Sequence, residues 1–229
     1  MKKISRRTFL YIFASLSSTY PLAFVSASPI EGKLKKFDEF PITIDVLKAA
    51  YESEKIASKS YVGYSRKAFE EKYPNIAYLF TAFAASEKIH AENYKKILNS
   101  LNIESEEPEF ELLISDTKAN LIKASEGEIK KIKKTYPGFL TKLKKESHDQ
   151  AVVNCMYSWK SHKQHKRKIG EIRKYSKMFF GHMAKKIEGM NFDFHVCEIC
   201  GSTIDEAPEN PCDICNYSNS HYQKVIRPA

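Results

Sequence analysis

Apolar residues recur at helical spacing through most of the chain from residue 43 to residue 183, and this pattern predicts long helices. It is clearest in residues 75–101, where Ala, Leu and Ile repeat without Gly or Pro. Tyr-Pro pairs at residues 73–74 and 136–137 interrupt it, since proline lacks the N–H that a helix interior needs. The first pair separates two helices, and the second predicts a kink inside a third. The predicted helices span residues 43–69, 75–101, 115–147 and 149–183.

The two halves of this helical region resemble each other. Each has a helix bearing glutamate, a Tyr-Pro break, and then a segment bearing histidine. Glu54 precedes Glu87 by 33 residues, and Glu128 precedes His162 by 34. Residues 102–115 form a connection long enough to cross a bundle. The repeat therefore predicts that both halves deliver polar side chains to a similar place.

Glutamate and histidine at a spacing of three residues form the candidate metal-binding pattern. Glu87 and His90 leave the same face of their helix, as half of a site does in carboxylate-bridged helical bundles. His162 and His165 repeat the spacing, although their lysine-rich surroundings also fit a solvated basic surface. The candidate bundle ligands are Glu54, Glu87, His90, Glu128, His162 and His165.

Composition limits the number of domains and the classes of partner. The chain has 229 residues, of which 42% are hydrophobic, enough for one sizeable core and a small appendage. Its formal charge of +9 raises the hypothesis of nucleic-acid binding, but no basic motif interleaved with aromatic residues is present. We therefore expect a solvated basic face and no nucleic-acid partner. Cys155, alone in a helix, fits a small buried apolar residue better than a nucleophile.

Two Cys-x-x-Cys pairs near the C-terminus are the most specific local signal. They comprise Cys197, Cys200, Cys212 and Cys215. Four thiolates at this spacing hold one ion in tetrahedral geometry, and the spacing does not distinguish iron from zinc. Gly201 and Asn216 suit the left-handed residue that ends each turn. Disulfides are the alternative for an exported chain.

The first 27 residues have the features of an export signal. A basic start is followed by an apolar run and by Val25 and Ala27, which fit a signal-peptidase site. Residues 5–10, Ser-Arg-Arg-Thr-Phe-Leu, resemble the twin-arginine signal, which implies export of the folded protein to the periplasm or cell envelope. An ordinary secretory signal or an uncleaved anchor are the alternatives. We expect a linker over residues 28–42 and no stable membrane span in the mature chain.

Residues 43–225 resemble the rubrerythrins, on motifs at residues 51–54, 85–93, 120–128 and 136–139 and on the terminal cysteines. The resemblance implies a mainly α fold, with a ferritin-like four-helix bundle over residues 43–189. A rubredoxin-like four-cysteine metal domain with short β-hairpins would follow over residues 190–229. It also implies a di-iron site, whose ligands in this family fall on the six candidate residues, and a head-to-tail homodimer.

Two positions depart from the rubrerythrin pattern. Lys131 stands where the family has a second glutamate, and His162 stands where it has a bridging glutamate. With two ferric ions, an oxo bridge and three carboxylates, a charged Lys131 leaves about two buried charges uncompensated. A di-iron site, an altered site with one iron, zinc or a mixed pair, and a metal-free bundle all remain open. Histidine ligation favours softer divalent ions.

Three further side chains have open roles beside the candidate metal site. Lys131 either extends outward to solvent or acts as a counter-ion to Glu87 and Glu128. Tyr61 and Tyr136 are candidates for modulating the site. For both we expect core packing, in preference to a radical or hydrogen-bonding role.

The resemblance implies a redox protein that reduces hydrogen peroxide at the bundle metal, with electrons from iron in the cysteine site. An exported chain would need an electron donor of the cell envelope, whose identity the sequence does not give. The alternative is a metal-binding or electron-transfer module without peroxidase turnover, favoured by Lys131 and His162. The cysteine segment is acidic and the third and fourth helices are basic, so we expect it to dock on a bundle, its own or a partner's.

Overall fold

The computed structural model describes residues 39–176 and 180–228. The predicted signal peptide and most of the predicted linker lie outside these residues. The first helix begins at Pro41, just inside the segment predicted as linker. Among the described residues, no helix is both long and apolar enough to cross a membrane.

Two long helices, α1 (Pro41–Glu70) and α2 (Pro74–Ser100), form the first half of a bundle. Each has proline in its first turn, where a missing N–H costs nothing. Carboxylates distant in sequence accept hydrogen bonds from the free N–H groups at both N-termini. Glu146 accepts from Ile42 and Thr43 of α1, and Glu188 accepts from the first N–H groups of α2. These bonds tie the starts of α1 and α2 to segments that follow much later in the chain.

The predicted third helix is divided into three pieces: α3 (Thr117–Lys130), a π-helical turn (Lys131–Thr135) and α4 (Tyr136–Leu143). The Asp116 carboxylate caps α3 by accepting from the N–H of Ala119 at 2.7 Å. The predicted disturbance at Pro137 therefore takes the form of a π turn just before the proline. The Tyr136 N–H bonds to the Lys131 carbonyl five residues back, so the turn absorbs one extra residue.

The fourth position of the bundle is filled by α5 (Asp149–Ser176), and α6 (Phe180–Glu188) packs against α2 and α5. The helix predicted from residue 149 to about residue 183 or beyond corresponds to α5 and α6, and residues 177–179 between them lie outside the described part of the chain. The helices form a ferritin-like four-helix bundle, whose four positions are filled by α1, α2, α3–α4 and α5. Cys155 on α5 is 1% exposed and lies in an apolar cluster, as expected of a small core residue.

The C-terminal segment forms a small four-cysteine module on a three-stranded antiparallel sheet. Its strands are β1 (His195–Cys197), β2 (Thr203–Ile204) and β3 (Tyr222–Lys224), in the order β2-β1-β3. Register is fixed by His195, which pairs with Ile204 on one side and Lys224 on the other. Phe194 packs edge-on against Tyr78 of α2, so the module shares an apolar cluster with the bundle.

Candidate metal centres

Six carboxylate and imidazole side chains from four helices meet inside the bundle. They are Glu54 on α1, Glu87 and His90 on α2, Glu128 on α3, and His162 and His165 on α5. None is more than 1% exposed. The spacing of three residues on α2 and α5 brings both members of each pair to the inner face. The structure therefore places all six sequence-predicted bundle residues together.

The six residues form two overlapping groups that share Glu87 and His162. In each group, one ligand atom per residue lies within 4.8 Å of every other. The first group adds Glu54 and His90, and the second adds Glu128 and His165. Each group has the donor atoms of one metal site, with two carboxylates and two imidazoles.

His162 occupies the centre of the cluster, not the solvated basic surface that was the alternative. Its Nδ1 lies 2.8 Å from Glu128 Oε2 and 3.5 Å from Glu87 Oε1, and its Nε2 lies 3.3 Å from Glu54 Oε1. Burial opposes a charge on the ring, but the surrounding carboxylates outweigh it and raise the pKa of His162 to about 10. The three carboxylates around the ring therefore favour its charged form.

Lys131 points into this cluster from the first residue of the π turn. Its Nζ contacts Glu54 Oε2 and lies 3.7 Å from Glu87 Oε1, and the residue is 9% exposed. Burial opposes the charge, but the nearby carboxylates raise the pKa of Lys131 above its usual value. The outward orientation is therefore wrong. Lys131 lies inward as an ion-pair partner of Glu54 and Glu87, whereas the predicted partners were Glu87 and Glu128.

Tyr61 and Tyr136 hydrogen-bond to the carboxylates, so the preference for core packing alone is wrong. The hydroxyl of Tyr61 donates to Glu128 Oε1 at 2.7 Å, and that of Tyr136 donates to Glu54 Oε1 at 2.5 Å. Burial, together with the adjacent negative charges, raises the pKa of both phenols well above the usual value. Both phenols therefore stay protonated and fix the orientation of a carboxylate.

Two polar atoms of the cluster are buried without a hydrogen-bond partner. They are Glu87 Oε1 and His165 Nδ1, which lie 3.5 Å apart. The other nitrogen of His165 lies 3.3 Å from Thr203 Oγ1, whose own proton goes to the Gly201 carbonyl. This contact holds the His165 ring with Nδ1 facing Glu87 Oε1 inside the cluster. Such a second contact orients histidines that bind metals.

The four C-terminal cysteines form a second, separate cluster. Cys197 and Cys215 have their Sγ atoms 3.8 Å apart, and Cys200 and Cys212 have theirs 3.5 Å apart. Tetrahedral coordination with metal–sulfur bonds of about 2.3 Å places sulfurs about 3.8 Å apart. All five cysteines lie in the described residues, and none of them forms a disulfide. The predicted left-handed conformation is present at Gly201 and Asn216.

The two clusters touch through His90. Its Nε2 donates to the Cys200 carbonyl at 3.1 Å, and its Nδ1 lies 2.8 Å from Glu87 Oε2. One imidazole therefore contacts both a cysteine of the tetrathiolate group and a carboxylate of the bundle. The cysteine module packs against α2 and α5 of its own chain, one of the two arrangements that the charge pattern allowed.

Polar side chains beside the predicted ligands hold the module in place. Ser86 and Ser161 both donate to the Gly201 carbonyl, at 2.6 and 2.9 Å, and Asn93 donates to the Ile199 carbonyl at 2.8 Å. Sequence reasoning missed these residues. The available signal was their position, since Ser86 precedes Glu87 and Ser161 precedes His162.

Gly201 is required at this contact, and we expect Gly201→Ala to lower stability by about 1–3 kcal/mol. Its φ is +74°, and an added Cβ would fall against the His90 ring and Ser86 Oγ. Urea unfolding of the full chain measures the effect. Gly138→Ala is the matched control, since its Cβ would meet nothing within 4 Å. Equal stability of the two variants would contradict the tight docking.

Similarity to known sequences shows the family of this chain. A sequence model of the family described as Rubrerythrin matches residues 45–172, more than half of the chain. The chain belongs to the rubrerythrin family. Rubrerythrin-2 of Clostridium acetobutylicum is 29% identical, and the match covers 80% of this chain and 96% of that protein. Nigerythrin of Nitratidesulfovibrio vulgaris is also 29% identical, over 76% of this chain and 81% of its own.

Solved structures support the same fold. Nigerythrin in a mixed-valence state matches with a TM-score of 0.68 at 26% identity, covering 80% of this chain and 86% of that one. A fully reduced, all-ferrous nigerythrin matches equally well. A Desulfovibrio desulfuricans bacterioferritin, at 20% identity and a TM-score of 0.61, shares the bundle fold alone.

Membership of the rubrerythrin family implies a non-haem iron redox protein, with iron in a di-iron bundle site and in a rubredoxin-like cysteine site. The residues of the cysteine site fit one ion, since four buried sulfurs lie at tetrahedral spacing. The residues of the bundle do not fit two iron ions. The Lys131 ammonium lies between Glu54 and Glu87, two members of the first group. This rubrerythrin therefore departs from the expected bundle site.

Proposed function

We propose that this rubrerythrin reduces hydrogen peroxide at its bundle site, using electrons that enter through iron in the four-cysteine site. The reaction consumes two electrons and two protons and yields two molecules of water. Iron bound by the cysteines supplies a one-electron carrier. The observation that carries the proposal is the contact of His90 with both clusters, because it gives the electron a short route within one chain.

The side chains around the site can hold the protons that peroxide reduction consumes. Tyr136 holds a hydroxyl proton against Glu54 Oε1, and Lys131 presents an ammonium to the same carboxylate. The Tyr61 hydroxyl holds its proton against Glu128 Oε1 in the same way as Tyr136 does against Glu54. The site is enclosed by apolar clusters on both sides, which exclude bulk water from the reacting groups. A small neutral molecule such as peroxide is the class of substrate that fits such a closed site.

The test is to reduce the iron-loaded full chain without oxygen and then mix it with hydrogen peroxide. We expect the iron–thiolate absorption band to return as the cysteine site is reoxidised. A band that stays bleached would contradict peroxide reduction. It would favour the second candidate, an electron-transfer module without turnover, which the replacement of two family glutamates by Lys131 and His162 supports.

Replacing His90 separates the electron route from simple docking. We expect His90→Ala to slow the return of the absorption band by about 10- to 100-fold, as loss of a partner beside a metal site does. Asn93→Ala is the matched control, because Asn93 also bonds the module but does not touch the bundle carboxylates. If both variants slow the reaction equally, His90 acts only in docking.

We also propose that the protein is exported folded to the periplasm or cell envelope. The twin arginines Arg6 and Arg7 within the twin-arginine-like motif support this location. It would require an electron donor of the envelope, such as a membrane-linked carrier. Cell fractionation tests the location, with substitution of both arginines by lysine as the control. Recovery of both forms in the cytoplasm would contradict export.

The family resemblance further supports a homodimer. Light scattering on the purified full chain measures its mass in solution. A mass of one chain would contradict the dimer but leave the contact between the two clusters unaffected, because that contact lies within one chain.

A further inference from the structure

The Lys131 ammonium lies where a metal ion bound by the first ligand group would lie. Its Nζ contacts Glu54 Oε2 and lies 3.7 Å from Glu87 Oε1, and both carboxylates are fully buried. A buried ammonium between carboxylates neutralises them in place. A metal ion bound by Glu54 and Glu87 would have to displace this ammonium.

The second ligand group remains free to bind an ion. Glu87 Oε1 lies 3.5 Å from both His162 Nδ1 and His165 Nδ1, and Glu128 Oε1 lies 3.7 Å from His165 Nδ1. Metal bonds of about 2.0–2.2 Å in tetrahedral geometry hold ligand atoms about 3.3–3.6 Å apart. The two 3.5 Å separations match those of ligands around one ion, and the third is slightly longer. The 2.8 Å hydrogen bond between His162 Nδ1 and Glu128 Oε2 would open as the ion binds.

The unpartnered atoms of the cluster also belong to this group. Glu87 Oε1 and His165 Nδ1 are buried without a hydrogen bond, and buried polar atoms normally have a partner. The contact with Thr203 keeps His165 Nδ1 directed into the cluster. A single ion at this point would satisfy both atoms.

The formal charges agree with one ion instead of two. Glu54, Glu87 and Glu128 carry three negative charges, and Lys131 with one divalent ion balances them once that ion has displaced the proton from His162 and both histidines bind as neutral rings. A second divalent ion would leave two positive charges unbalanced in a buried site, which is strongly unfavourable.

We propose that the bundle of this rubrerythrin holds one divalent metal ion, bound by Glu87, Glu128, His162 and His165, with the Lys131 ammonium in place of a second ion. This deepens the proposed function by fixing the number of ions. It rests on that function only in requiring that the bundle binds metal.

The experiment is elemental analysis of the full chain after loading with ferrous iron without oxygen and removal of unbound metal. The iron–thiolate band counts the ion in the cysteine site separately. We expect two ions per wild-type chain, one in each site. Lys131→Glu, which exchanges the ammonium for a carboxylate, should bind three. Lys131→Arg keeps the charge and should bind two, and His165→Ala should keep only the cysteine-bound ion.

A second readout does not depend on counting. Manganese-loaded wild-type bundle should give the electron paramagnetic resonance spectrum of an isolated ion, and Lys131→Glu that of a coupled pair. Two bundle ions in the wild type, none in the wild type, or a folded Lys131→Glu chain with one would each overturn the proposal. So would a bundle ion retained in His165→Ala. If peroxide leaves the cysteine iron reduced while the ion count is as expected, only the proposed function fails.

Discussion

We expect loss of the ion from the four-cysteine site to unfold both cysteine turns of the C-terminal module. Their core consists of the four cysteines and Ile214, with Ile199, Tyr157 and Tyr222 packed against it. So small a cluster buries little apolar surface, and a structural metal bound by thiolates contributes about 10–16 kcal/mol in comparable small sites. We therefore expect Cys212→Ser to abolish the iron–thiolate band and to expose the amides of residues 197–216 to rapid hydrogen exchange.

Cys155→Ser is the matched control for this prediction. Cys155 is the one cysteine outside the cluster, and it is buried in the bundle. It should leave the absorption band and the exchange of residues 197–216 unchanged. Slow exchange of these amides in Cys212→Ser would show that the protein contacts alone hold the module together.

Replacing Glu54 has the second largest expected effect. Glu54→Gln leaves the buried Lys131 ammonium without its main partner, and removing one member of a buried ion pair costs about 3–5 kcal/mol. The Tyr136 hydrogen bond survives, because the amide oxygen still accepts from the phenol. Urea unfolding of the full chain measures the loss in the free energy of unfolding.

The double variant Glu54→Gln with Lys131→Met provides the control for this charge effect. It removes both charges and should recover most of the lost stability, because no uncompensated ammonium remains. A Glu54→Gln chain within about 1 kcal/mol of the wild type would contradict a buried ion pair at this position.

The helices and both sets of candidate ligands were predictable because their signals are local. The spacing of Glu87 and His90 on a helix free of Gly and Pro determines which face they share. The cysteine turns are specified by four residues and by the left-handed conformation at Gly201 and Asn216. Such features depend on chain geometry over a few residues, so they can be predicted without knowledge of the rest of the fold.

The features that escaped prediction depend on contacts between distant segments. The direction of Lys131 is set by the π turn that precedes Pro137, and the spacing of a regular helix does not contain that turn. The hydrogen bonds of Tyr61 and Tyr136 require the relative positions of α1, α3 and α4 to be known. Charge patterning indicated that the module would dock on a bundle, and contacts such as His90–Cys200 and Asn93–Ile199 place it against α2 and α5 of its own chain.

The location of ions in crystals of the iron-loaded full chain tests most directly whether both the bundle and the cysteine cluster bind metal. Anomalous scattering at the iron edge reports each ion independently of the protein atoms. We expect one peak among the four cysteines and one bundle peak about 2.0–2.2 Å from His165 Nδ1 and Glu87 Oε1, with Lys131 still against Glu54. A map with no peak in the bundle would contradict a metal-binding role for the clustered glutamates and histidines.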